Sequence, residues 1–308
     1  MQGLATLGAI VVIASVTSLW LDRAHSTAPN DDARRAQRHA AYTSAAAVAC
    51  LVGALLATLG IGFAANVYGP GQLWGLRRIL AALPATAGLM FIGAHAIGEL
   101  TWPCPRGPVR EAALVARTPR DVTPARLLRW TWTVAALTLT AVVAFILAAS
   151  GPRTVTRVVG AQSFSWQPFP GTWFGVPVLV ASTLVGIAAA ATLWIIASRP
   201  AVRGASQAWD MWLRRRSARR VLRGAQLVGC LTVAAMCHFA AGALQYLGNI
   251  DRSWEQVPHS SGYVVVGLLV RGAGLALGLV GVVVALVPAR DPAPEIVTRD
   301  QTVSSVAS

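Results

Sequence analysis

A chain of 308 residues that is 55% hydrophobic and only 12% charged is not a soluble domain, in which about a quarter of residues carry charge. Its formal net charge of +14 does not point to nucleic acid. Nearly all of the arginines lie in stretches between apolar runs, and no soluble domain is left over to enter a groove. All 26 basic residues are arginine, so chemistry that needs a lysine amine, such as a Schiff base to retinal or pyridoxal phosphate, is excluded.

A spanning helix needs about 20 mostly apolar residues. Seven stretches qualify: residues 3–20, 41–66, 78–100, 128–150, 175–197, 224–248 and 262–287. They predict an all-α fold, a polytopic transmembrane bundle of about seven helices forming one domain over residues 1–288. Residues 289–308 show no apolar period and read as a disordered cytoplasmic tail. The first stretch lacks a basic leader and a clear small-x-small cleavage site, and reads as a retained helix.

Arginine placement orients the bundle. The connections after the first, third and fifth stretches hold seventeen arginines, among them the cluster Arg214, Arg215, Arg216, Arg219, Arg220 and Arg223. The other connections hold only Arg77, Arg78, Arg153, Arg157 and Arg252. Positive loops resist translocation, so the rich side is cytoplasmic, the N-terminus outside and the C-terminus inside. The cluster is expected to meet anionic lipid head groups. The eleven tryptophans all fall at or near predicted span ends, as an aromatic belt does.

Small residues abound inside the spans. Gly267, Gly272, Gly274, Gly278 and Gly281 mark the last as a close-packing helix, with Gly274-x-x-x-Gly278 as its contact spacing. Pro84 is expected to kink the third span, and Pro177 to sit in the first turn of the fifth. The longest outer connection, residues 151–177, offers two short strands, TVTRVV and QSFSW, around Gly160-Ala161. The aromatic run PFPGTWFG follows them. This loop either rests on the membrane surface or docks a partner protein.

Ionisable groups at membrane depth are costly, and each is a candidate site. Arg271 and His238 both lie near mid-depth, with Met90 at a comparable level, so the three converge if their helices face one another. His95 and Glu99, four apart, share a helix face and form a candidate proton-handling pair. Bis-histidine haem through His95 and His238 is disfavoured by a depth difference of about 10 Å. Met236, Cys237 and His238, with Cys230, offer soft ligands for copper(I), but consecutive helical residues diverge. No CxxC, HExxH, Walker or GxSxG motif is present. No cofactor is therefore predicted, and the reading leans away from an enzyme.

The runs GELTWPCPRGPVREAALVARTPRDV (residues 98–122), PFPGTWFGVP (168–177) and LRRRSARRVLRG (213–224) resemble uncharacterised multi-pass membrane proteins of high-GC actinobacteria. The resemblance implies a polytopic fold in a bacterial plasma membrane and nothing about chemistry. Three functions remain: a non-enzymatic accessory or partner-binding component, a small-solute or ion permease built on Arg271 and His238, and a haem- or copper-binding protein.

Overall fold

The computed structural model of the protein describes residues 28–67, 82–103, 117–250 and 258–286. The predicted first span and the C-terminal tail lie outside the described residues. So do residues 78–81 of the third span. The described residues form α1 (Asp31–Val67), α2 (Leu83–Leu100), α3 (Pro119–Val122), α4 (Ala125–Ala148), a hairpin of β1 (Val155–Val159) and β2 (Gln162–Trp166), α5 (Thr172–Ser198), α6 (Gln207–Gly248) and α7 (Ser261–Leu286). Five of these helices, α2 and α4 to α7, are long and apolar enough to cross a membrane. The fold is helical with one small antiparallel hairpin.

Two helices run well past the predicted spans. At 1.5 Å per residue, the 37 residues of α1 extend about 55 Å and the 42 of α6 about 63 Å. Arginine is a good helix former, so Arg34–Arg38 and Arg214–Arg223 continue the helices rather than forming loops. Caps fix where they start. The Asn30 side chain accepts the Ala33 N–H at 2.7 Å, and the Ser206 hydroxyl accepts the Trp209 N–H at 3.2 Å. Asp31, Asp32 and Asp210 place negative charge in the first turns, where the helix dipole favours it.

Helix α6 is the central pillar. It packs against α2, α4, α5, α7 and the hairpin. Of its most apolar window 61% is buried, against 17% for α4 and 22% for α7, so the latter two are peripheral. The main core joins α2, α5 and α6 through Phe91, Ile92, Val185, Ile196, Leu222 and Val228. A second, smaller core forms at the arginine-rich end, where Ala33, Ala36 and Ala40 of α1 meet Trp102, Val202, Trp209 and Leu213.

Helix α7 lies antiparallel on α6 along a glycine seam. A Cβ at Gly267 would lie 2.8 Å from Cγ of Gln245, one at Gly274 2.5 Å from Cβ of Cys237, and one at Gly281 2.7 Å from Cβ of Cys230. The seam therefore repeats every seven residues, the period of left-handed helix pairs. Of the predicted Gly274–Gly278 spacing, Gly274 lies in the seam and Gly278 is buried, but Gly272 faces open space.

The two proline expectations differ in outcome. Helix α2 is described from Leu83 with Pro84 in its first turn, and the part of the third span ahead of it, where a kink would show, lies outside the described residues. Helix α5 begins earlier than predicted, because the Trp173 N–H reaches Pro152 O at 2.8 Å and the Gly175 N–H reaches Gly171 O at 2.7 Å. That leaves Pro177 inside the helix, where it withholds one backbone bond.

The predicted hairpin is present. Val159 pairs with Gln162, leaving Gly160 and Ala161 as the turn, and Gly160 takes φ +60° as such two-residue turns require. Its aromatic continuation packs on the bundle. Phe169 and Val155 are buried against Ala240, Ala243 and Leu247, and Trp166 stacks on Tyr246 at 3.4 Å between ring centroids.

Candidate functional site: a buried ion network and a mid-depth arginine

The arginine-rich end is held by charges taken out of water. The end of α2 brings Glu99 to Arg199, just beyond α5. Arg199 Nη1 donates to Glu99 Oε2 at 2.7 Å, with side chains 1% and 4% exposed. The Arg199 guanidinium also lies 3.6 Å over the Trp102 ring. Its Nε and Nη2 meet no hydrogen-bond acceptor, and the ring face is what offsets their burial.

Arg214 is fully buried. Its Nη1 donates to Ile196 O at 2.7 Å and to Ala197 O at 3.0 Å, and its Nη2 donates to Arg199 O at 2.7 Å. These are last-turn carbonyls of α5 and the residue after it, which have no intrahelical donor. A guanidinium there satisfies them and meets the negative end of the helix dipole. Asp210, one turn back on α6, accepts Arg214 Nε at 2.8 Å and Arg117 Nη1 at 3.3 Å. His39 Nε2 lies 2.7 Å from Gly98 O and its ring sits edge-on to Trp102. Arg220 donates to Ser44 Oγ and to Ala40 O.

The opposite end repeats the device. Arg157 of β1 is buried and donates to Leu247 O at 2.7 Å, in the last turn of α6, and to Pro258 O at 2.6 Å, ahead of α7. One arginine thus ties the hairpin to two helices.

This geometry reassigns several predicted residues. Arg214 faces helix carbonyls and not lipid, because it is the one arginine of its cluster with an acid four residues ahead. Arg215 is exposed, while Arg216, Arg219, Arg220 and Arg223 are half-buried. Glu99 pairs with Arg199 across helices, not with His95, which is buried with its ring edge-on to Phe91. Met90 is 52% exposed and turns away from the others. Arg271 and His238 lie at one level of the bundle. Each lies ten residues from the hairpin end of its helix, about 15 Å along it. Arg271 Nε is buried and donates to no acceptor. So is Nε2 of Gln245, whose stem lies against Gly267, one turn along α7 from Arg271.

Cys230 and Cys237 face the glycine seam with α7, seven residues apart. Among the described residues no three of His, Cys, Asp and Glu converge. Sequence reasoning missed Arg199, Asp210, Arg117, Arg157 and Gln245. The i,i+4 pair Asp210–Arg214 and the alanine stripe 33, 36, 40 were the available signals for the first core contacts.

No protein-family model, no curated protein and no solved structure matches this chain.

Proposed function

We propose that the protein is a multi-pass membrane component that acts by binding another membrane protein and carries out no chemical step itself. One observation carries this reading. The charged residues placed to do chemistry, Glu99 above all, are engaged in dry contacts that hold helices together. The peripheral helices α4 and α7 meanwhile present long apolar faces. The proposal includes seven spans in a bacterial plasma membrane, with the hairpin end outside and the arginine-rich end cytoplasmic. Arginine asymmetry supports that orientation, and exposed Arg215 is suited to anionic head groups. The hairpin edge around Val158, 70% exposed, is a second docking surface. Mild-detergent purification from native membranes tests the reading. It predicts a complex with a second polypeptide in fixed stoichiometry; a lone monomer contradicts it.

A permease reading has the same Arg271 in its favour, as a site for an anionic solute. It predicts solute uptake by proteoliposomes that Arg271→Ala abolishes, and unchanged uptake in that variant removes it. The predicted proton-handling partner of such a permease, Glu99, is already occupied by Arg199.

A further inference from the structure

Arg271 is a cation without a counter-charge among the described residues. None of the five ion pairs among the described residues includes it. The sequence deepens the point. Of the chain's 12 acidic residues only Glu99 falls within any of the seven predicted spans, and Arg199 holds it at 2.7 Å. The N-terminal apolar stretch, residues 3–20, contains no Asp or Glu at all. A second copy of the chain brings another Arg271 and no free mid-span acid. A compensating carboxylate at that depth would then come from a different molecule.

From this we infer that the α6–α7 face around Arg271 docks a spanning helix of a partner protein that carries an Asp or Glu near mid-membrane. Three features favour a helix-borne carboxylate. The first is depth: about 15 Å along the helix is near the middle of a hydrocarbon core about 30 Å thick. A phospholipid phosphate stays with its hydrated head group, whereas a side chain on a spanning helix is delivered at any level. The second is the donor row. Arg271 Nε and Gln245 Nε2 are both buried without acceptors, and the His238 ring lies on the same helix face as Gln245, seven residues away. The third is access. Helix α7 packs chiefly on α6, and the residues three before and four after Arg271 on its own side, Leu268 (56%) and Leu275 (49%), are exposed. A carboxylate in this setting gains charge-assisted bonds that no water competes for.

The inference rests on the partner-binding reading and narrows it to one face and one chemistry. The test uses donor-labelled full-length protein in phosphatidylcholine vesicles at pH 8. The acceptor is a synthetic spanning peptide of leucine and alanine with one central Glu, and a twin with Leu there is the control. Energy transfer is expected to show at least tenfold tighter association of the Glu peptide. Arg271→Leu is expected to abolish that preference and Arg271→Lys to keep part of it. Equal association of the two peptides with the unaltered protein overturns the inference, whether or not Arg271→Leu folds. So does Arg271-dependent binding of oleate with no preference for the Glu peptide, which assigns the site to a lipid-borne anion. Failure here leaves the partner reading standing on other surfaces, because purification from native membranes decides that separately.

Discussion

Glu99 shows how a residue's type can mislead about its role. A buried carboxylate beside a histidine on an apolar helix has the look of proton chemistry. Its partner, however, is an arginine 100 residues away, and the pair is shut off from water. A buried ion pair adds little over an apolar pair, but losing one member strands the other charge at a cost of about 3–5 kcal/mol. Glu99→Ala is therefore expected to lower unfolding stability by that amount in detergent. Replacing Glu99 and Arg199 together by apolar residues is expected to recover much of the loss, and additive losses in that cycle would contradict the pairing. Asp121 is a simpler case. It closes the capping box of α3 by accepting the Thr118 N–H at 2.7 Å and hydroxyl at 2.8 Å, and these bonds hold its pKa below the ordinary 3.8. The folded pKa is depressed, so the box contributes at neutral pH and its contribution is lost as pH falls through that lowered value. The carboxyl resonance of Asp121 should titrate below 3.8, and Thr118→Ala should move it back up.

At the scale of the element, the glycine seam makes a sharp contrast. Gly274 lies against Cys237 and Gly272 against nothing, though they are two residues apart on one helix. Gly274→Ile has to push α7 off α6, and overpacking of this kind costs about 1–3 kcal/mol. Gly272→Ala is expected to leave the melting temperature unchanged. Equal effects of the two variants would place the seam elsewhere. The seam was partly legible in the sequence, since glycine at close spacing in a span announces contact, but not the face, because all five glycines carry the same composition signal. The hairpin was legible in full, from β-branched runs around a Gly that alone tolerates the turn's φ of +60°. The extensions of α1 and α6 were not. Apolar periodicity reports burial in lipid, and it stops where the arginines begin even though the helix continues. Arg214 could not be told from Arg215 by type; only the acid at Asp210 and the open carbonyls ending α5 separate them.

On the scale of the whole molecule, the two ends are built alike. Each has an arginine from another segment seated on the carbonyls of a helix end, Arg214 on α5 and Arg157 on α6. The alternation of arginine-rich and arginine-poor connections predicts that these ends lie on opposite sides of the membrane. Single cysteines test that, in a background with the native cysteines replaced by alanine. A cysteine at exposed Arg215 should react with an impermeant maleimide only after cell lysis, and one at exposed Ser163 in intact cells. The reverse pattern would invert the topology. That the chain belongs in a membrane was legible from composition alone. What it does there was not, because the type and depth of Arg271 do not say what it meets. The most direct measurement places a photo-crosslinking residue at exposed Leu268, three residues before Arg271 and on the same side of α7, in native cells. One discrete protein adduct that disappears with Arg271→Leu is the result expected; the absence of any protein adduct at that position would contradict the account.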